Sequence, residues 1–418
     1  MPWSQGVNMG GMTVPTGSVR LDDVRAAREL IRDVVRHTPM ENSRPLGDRV
    51  GGPVQLKCEN LQRTGSFKIR GAYVRIARLS EEEKARGVVA ASAGNHAQGV
   101  ALAASLLGTK ATVFMPDGAS LPKVAATRSY GADVRLTGHH SVEECLSAAV
   151  EFAASTGATL IHPFDHPDIV AGQGTVGLEI LEQCPGAKTV VVGAGGGGLV
   201  SGVAVAVKAQ HRAARIVAVQ AAGAAAYPQS LAAGHPVALR TMSTMADGIA
   251  IAKPGELPFA LVSAYVDDVV TVSEESLSRA LLLCLERAKL VVEPAGAAGV
   301  AALLDEPHAF TPPVVVVLSG GNVDPVLLLR VLRHGMAAAG RYLAFRVRIP
   351  DRPGELARLL TALGEVGANV LEVEHVRIGP KLHLEEVEVA LQLETRGPSH
   401  CDEVLTRLRD AGYTLVFH

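Results

Sequence analysis

Four short apolar runs, each ending in a glycine-bearing loop, constrain what this chain can fold into. Val314 to Leu318 is almost pure valine and passes straight into Ser319–Gly320–Gly321–Asn322. Thr189 to Val192 leads into Gly193–Ala194–Gly195–Gly196–Gly197–Gly198 and a helical stretch through Lys208. Val88 to Ala91 leads into Ser92–Ala93–Gly94–Asn95–His96 and a helix to Leu107, and Val54 to Cys58 precedes a loop and a helix from about Phe67. Ala111 to Met115 and Arg215 to Val219 are further strand-like runs. Runs that are apolar throughout belong to strands buried on both faces, and their alternation with helices indicates a parallel sheet. Ligands to such sheets gather beyond the carboxyl ends of the strands, where these glycine loops fall. Residues 19–333 are therefore expected to form an α/β catalytic region.

The pattern changes near Arg333–Tyr342. Residues 334–341 are expected to be a linker, and 342–418 a separate domain. Phe345, Val347 and Ile349 alternate with Ala344, Arg346 and Arg348, and Val387, Val389, Leu391 and Leu393 alternate in the same way. Between them Pro353 to Val366 carries Leu356, Leu359, Leu360 and Leu363 on one helical face, with Pro353 placed for the first turn. Adding strands at Asn369–Ile378 and Tyr413–Phe417 and a helix at Ser399–Ala411 gives the order βαββαβ, a ferredoxin-like plait.

Forty basic residues stand against 42 acidic ones, with no basic run or stripe, so nucleic acid is not an expected partner. Cys58, Cys145, Cys184, Cys284 and Cys401 lie far apart with no CxxC spacing. Reduced thiols in a cytoplasmic protein are expected, rather than a disulfide framework or a zinc site. No apolar run approaches the roughly 20 residues that span a bilayer, so no membrane partner is expected. Residues 1–18 lack the apolar stretch of a signal peptide and are expected to be a flexible tail.

Taken singly, each glycine loop is open to a plain reading as a tight strand-to-helix turn. The functional reading of Gly195–Gly198 is a phosphate cradle of bare backbone N–H groups at a helix N-terminus. A dinucleotide fingerprint fits poorly, because Gln220 and Ala221 stand where an acidic residue is needed, and no lysine follows the glycines as in a P-loop. Lys68 lies in Thr64–Gly65–Ser66–Phe67–Lys68–Ile69–Arg70–Gly71–Ala72. A lone lysine is ordinarily a solvated surface charge. Desolvated among Phe67, Ile69 and small residues, it has a lowered pKa and can form a Schiff base.

The Ser66–Ala72 segment, the Ser92–His96 loop, the tetraglycine 195–198 and Ser319–Gly320–Gly321–Asn322 occur in one order. Together they resemble the tryptophan-synthase-β-like (fold type II) family of pyridoxal-phosphate enzymes, and within it the threonine dehydratases, or threonine ammonia-lyases. The resemblance covers roughly residues 20–335 and implies two open twisted sheets with helices on both faces. It makes Lys68 the Schiff-base lysine and the base that removes the substrate's α-proton. It sets Asn95 on the ring's 3-oxygen, Phe67 beside the ring, Ser319 at the pyridine nitrogen, and Gly195, Gly196, Gly197, Gly198 and Leu199 around the phosphate. Ser92, Ala93, Gly94, Asn95 and His96 become the loop that receives the substrate carboxylate, with His96 open between a structural and a catalytic role. Ala246–Asp247–Gly248 and Val292–Glu293–Pro294–Ala295–Gly296 also resemble family segments near the cofactor.

Two departures from relatives carry information. Serine racemases of the family have a serine where Ala93 stands, which argues for elimination over racemisation. Gln220–Ala221–Ala222–Gly223–Ala224–Ala225–Ala226 lacks the carboxylates that hold a divalent metal in some relatives, so no metal is expected there. The implied reaction converts L-threonine to 2-oxobutanoate and ammonia, and L-serine to pyruvate, in a homodimer or homotetramer. A serine-preferring dehydratase, a β-replacement enzyme and an amino-acid-binding regulator without turnover are the alternatives. The plait resembles an ACT domain through Asp351–Arg352–Pro353–Gly354–Glu355–Leu356 and Gly367–Ala368–Asn369. That implies an amino-acid or nucleotide effector bound through Asp351, Gly354 and Asn369, against a plain role in packing or dimerisation.

Overall fold

The computed structural model describes residues 18–137, 142–377 and 385–417. All but Ser18 of the expected tail lies outside them, as does Ile378 of the expected strand. The chain divides into two units at Pro325 and Val326.

In the first unit the valine run is an interior strand. Val314–Val317 is buried along its length and pairs in parallel with Val54–Lys57 on one side and Thr189–Gly193 on the other. Arg215–Ala221 and Asp268–Val272 extend the sheet in parallel, and Met40–Asn42 adds an antiparallel edge beside Val54–Lys57. A second, all-parallel sheet runs in the order Asp133–Leu136, Ala111–Met115, Val88–Ala91, Thr159–Leu160. Because neighbouring strands run the same way, the loops after Val54–Lys57, Val314–Val317 and Thr189–Gly193 share one edge of the larger sheet. Ser92–His96 leaves the corresponding edge of the smaller one. Four strands have no announcing apolar run: Met40–Asn42, Asp133–Leu136, Thr159–Leu160 and Asp268–Val272. They are short and carry partly exposed positions.

The helix that starts at Lys68 is held by backbone proximity and by charge. Lys68–Ala77 crosses Pro167–Gln183, and a Cβ added to Gly172 would lie 2.5 Å from the Cα of Gly71, so the two backbones touch. Arg70 is wholly buried. It donates to both Glu59 oxygens at 2.8 Å, to Glu179 at 2.6 Å and to Thr175 Oγ1 at 3.1 Å. Lys57 Nζ donates to the other Glu179 oxygen at 2.5 Å and to the Thr38 carbonyl at 2.8 Å. Two cations and two carboxylates thus neutralise one another in the interior, the condition under which buried charge is tolerated. Burial pulls both cations down, but Glu59 and Glu179 outweigh it at Arg70, whose pKa rises. At Lys57 burial wins and the pKa falls. Burial would raise Glu179, yet Arg70 and Lys57 keep it lowered.

The second unit begins within the helix Pro325–Ala338, so residues 334–338 of the expected linker are helical. The plait follows in the order βαββαβ: Tyr342–Pro350, Glu355–Glu365, Asn369–Val376, Glu386–Glu394, Pro398–Asp410 and Thr414–Val416. Its antiparallel sheet sets Phe345 opposite Leu391, Val347 opposite Val389 and Ile349 opposite Val387, all buried, with Leu359, Leu363, Val404 and Leu408 of the helices against them. Pro353 does not open the first helix. Gly354, at φ +91°, takes the left-handed N-cap conformation, and the helix begins at Glu355.

Candidate active site

A cavity of about 300 Å³ lies at the facing carboxyl edges of the two sheets of the first unit. Phe67, Lys68, the whole Ser92–His96 loop, Gly195 to Leu199 and Ser319 all line it. So do Asp247, Gly248, Glu293 and Ala295 from the two weaker segments, together with Lys123, Pro163 and Phe164. Sequence reasoning missed these last three. The loop Pro163–Phe164 follows a strand of only two residues, Thr159–Leu160, too short to register as apolar periodicity.

Lys68 is the first residue of its helix, and its partial exposure opens onto the cavity. Its Nζ donates to the Pro163 carbonyl at 2.9 Å and lies 5.3 Å from the centre of the Phe67 ring. Burial lowers its pKa from 10.5 to about 8, with the Glu293 carboxylate opposing. The neighbouring backbone is clamped to the valine strand's loop: Phe67 N donates to the Ser319 carbonyl at 3.2 Å, and Ser66 bridges to Gly320.

The glycine loop is shaped from below. Gly197 sits at φ +97°, and a Cβ there would lie 1.9 Å from the Tyr227 hydroxyl; a Cβ at Gly196 would meet the Phe164 ring at 2.4 Å. Gln220, at the end of the next strand, fixes this floor. Its Nε2 donates to the Ala194 carbonyl at 3.1 Å and its Oε1 accepts from Tyr227 N at 2.9 Å. Among the described residues no carbonyl or side chain accepts from the amides of Gly195, Gly196 or Gly197, which precede the helix Gly198–Gln210. Free amides at the positive end of a helix form a cradle for a phosphate. With an amine of lowered pKa in the same cavity, this donor set fits a ligand that carries both a phosphate and an aldehyde.

A chain of amides fixes Asn95. Asn322 Nδ2 donates to the Thr64 carbonyl at 2.7 Å, which can only accept, so the same Nδ2 donates to Asn95 Oδ1 at 2.8 Å. Asn95 Nδ2 is thereby turned to Glu293 Oε1 at 2.6 Å, leaving its second N–H unassigned within the cavity lining. Burial raises the Glu293 carboxyl from 4.5 to about 7, with Asp247 adding and Lys123, Asn95 and Lys68 opposing.

His96 favours the structural of its two readings. It is buried, its Nε2 is 2.8 Å from the Ile161 carbonyl, and burial together with Lys68 lowers its pKa to about 3, so the ring is neutral. Ser92 Oγ accepts from Gly94 N at 3.1 Å and holds that loop in a tight turn. The three plait residues do not converge within one copy. Asp351, 3.3 Å from Arg377, and Gly354 lie at the Pro350–Glu386 end of the sheet. Asn369 pairs with Glu394 at the Tyr342 end, roughly 25 Å away at about 3.3 Å per strand residue.

The family model described as pyridoxal-phosphate dependent enzyme matches residues 31–320. The L-threonine ammonia-lyase of Thermotoga maritima is 45% identical over 395 residues, covering 94% of this chain and 98% of that protein. The crystal structure of a T.th. threonine deaminase superposes with a TM-score of 0.69 at 41% identity, over 73% of this chain and 99% of that one. The structure of maize serine racemase gives a TM-score of 0.71 at 38% identity, over 77% and 99%. Three kinds of observation agree: the two-sheet fold, the cavity at its carboxyl edges and the match across most of the chain. The protein belongs to the family of pyridoxal-phosphate-dependent enzymes.

Proposed function

We propose that this protein is a threonine ammonia-lyase, converting L-threonine to 2-oxobutanoate and ammonia and L-serine to pyruvate, with pyridoxal 5'-phosphate bound at Lys68. The observation that carries the reading is the position of Lys68 Nζ, an amine of lowered pKa in one cavity with the free amides of the glycine loop and the Ser92–His96 loop. The cofactor, when bound, supplies an aldehyde for the substrate's amine and an electron-withdrawing ring beside its α-carbon.

Gly195, Gly196, Gly197, Gly198 and Leu199 hold the phosphate through backbone amides. Asn95 offers its second N–H to the ring oxygen, and Ser319 meets the ring nitrogen. A serine hydroxyl there would not force that nitrogen to stay protonated, which would favour prompt loss of the β-hydroxyl. The amides of Ser92 to His96 receive the substrate carboxylate. Lys68 Nζ, whose neutral fraction grows as pH rises toward about 8, takes the α-proton as the Cβ–O bond breaks and hydroxide leaves. The unsaturated amine released then hydrolyses in water to the oxo acid and ammonia. Ala93 lines the cavity with a methyl group, which cannot return a proton, and this favours elimination over racemisation.

The plait is read as an ACT-like regulatory domain. Since Asp351 and Gly354 lie far from Asn369 within one copy, an effector held by all three requires two plaits from a homo-oligomer. Cytoplasmic location is part of the same reading; among the described residues no helix is long and apolar enough to cross a membrane. The test is to incubate the protein with L-threonine and follow 2-oxobutanoate by coupled reduction. Product should form with ammonia in equal amount; cofactor-loaded protein that forms none refutes the assignment.

A further inference from the structure

The Lys123–Asp247 ion pair belongs to none of the steps above, yet both of its residues line the cavity. Lys123 stands on the helix Leu121–Ser129, which follows the Ala111–Met115 strand of the smaller sheet. Asp247 opens the turn Asp247–Ile249, whose Ile249 backbone would lie 3.0 Å from a Cβ on Gly195 of the glycine loop. Lys123 Nζ meets Asp247 Oδ2 at 2.5 Å, and both residues line the cavity. The Lys123 side chain lies along the carboxylate loop: a Cβ on Gly94 would be 3.4 Å from its Cδ and 3.5 Å from its Nζ. The two partners are unequally placed. The Lys123 side chain is 12% exposed and that of Asp247 54%, so a cation inside is cancelled by an anion at the rim.

We infer that Lys123 and Asp247 set the charge of the substrate side of the cavity at zero and so restrict it to amino acids with uncharged side chains. The inference rests on the dehydratase reading and names its substrate class. One carboxylate, common to every amino acid, is received by the Ser92–His96 amides. A second carboxylate on Cβ finds Lys123 already engaged by Asp247, and it shares the cavity with the buried Glu293 carboxyl, which is itself beside Asn95. Threonine carries a methyl group at that position and meets no such penalty. Each partner therefore pushes selectivity in an opposite direction when it stands alone. A lone Lys123 attracts a second carboxylate, and a lone Asp247 repels it.

The experiment compares kcat/KM for L-threo-3-hydroxyaspartate, which replaces the methyl group by a carboxylate, with kcat/KM for L-threonine. It uses the cofactor-loaded, full-length wild type, Asp247→Asn, Lys123→Met and the double variant. The ratio should rise on the order of tenfold in Asp247→Asn and fall on the order of tenfold in Lys123→Met, as one uncompensated charge a few ångströms away requires. The charge-neutral double variant should return it to within a few-fold of wild type. Where the dicarboxylate turns over too slowly to read, its inhibition constant against threonine gives the same comparison. A purely structural pair would shift both substrates alike; ratios that stay fixed, or move the same way in both single variants, overturn the inference. A wild type inert toward threonine overturns the dehydratase reading instead.

Discussion

Asn95 and Glu293 are 198 residues apart in sequence and 2.6 Å apart in the cavity, amide nitrogen to carboxylate oxygen. The contact fixes the face that Asn95 turns to a ligand, and it buries a carboxyl group beside Lys68. Its consequences are measurable in the absence of cofactor.

The raised pKa of Glu293 makes stability depend on pH with a definite sign. The folded state binds its proton more tightly than the unfolded state between pH 4.5 and about 7, so stability falls as pH rises through that window. Glu293→Gln keeps an acceptor for Asn95 and removes the charge. It should stabilise the cofactor-free protein at pH 8 relative to pH 4.5 by roughly 2–3 kcal/mol more than wild type, read from urea midpoints. Parallel pH curves for the two proteins would contradict this.

Lys68 should capture pyridoxal phosphate at a rate that tracks its neutral form. That rate is expected to rise with pH through about 8, not 10.5, because burial disfavours the ammonium. Glu293 holds the Lys68 pKa up, so Glu293→Gln should move the midpoint to lower pH. Stopped-flow absorbance of cofactor binding across pH checks both, and a midpoint near 10 in the wild type would refute the buried-amine account.

Gly197→Ala should cripple cofactor retention. The residue would sit at φ +97° with its Cβ 1.9 Å from the Tyr227 hydroxyl, so the loop must move and its amides with it. Cofactor affinity, measured by equilibrium dialysis, is expected to drop roughly tenfold or more, at about 1.4 kcal/mol per decade. Unchanged affinity would mean that the loop does not carry the phosphate.

Arg70→Met removes one cation from the buried cluster and takes from Glu59 the guanidinium it is paired with, leaving it the Thr38 hydroxyl. The expected loss is about 3–5 kcal/mol of unfolding free energy, far more than a surface ion pair supplies. Chemical denaturation measures it; a loss under about 1 kcal/mol would show that the cluster does not anchor the Lys68 helix.

What was legible in the sequence is what parallel strands make local. Lys68, Gly195–Leu199 and Ser319 follow adjacent strands of the larger sheet, and parallel pairing gathers those strand ends on one edge; Ser92–His96 follows a parallel strand of the smaller sheet. Lys123 and Phe164 were not legible, because neither stands in a run with a period, and each acts through contacts set by tertiary packing. Gln220 was noted only for what it is not, an acidic residue. Its amide proves to be the tie between the glycine loop and Tyr227. The alternation of Val387, Val389, Leu391 and Leu393 announced the plait strand. The position of Asn369 relative to Asp351 depends on strand order and direction, which a one-dimensional pattern does not encode. Pro353 misled because Pro often opens a helix; here the left-handed Gly354 takes the cap and the helix starts one residue later.

The most direct test of the central claim is a side-by-side assay of wild type and Lys68→Ala, each supplied with excess pyridoxal phosphate and L-threonine. The account predicts 2-oxobutanoate and ammonia in equal amounts from the wild type. In the variant it predicts a rate lower by on the order of a thousandfold or more, with the absorbance of lysine-bound cofactor gone. A variant that still turns over threonine at a comparable rate would contradict it.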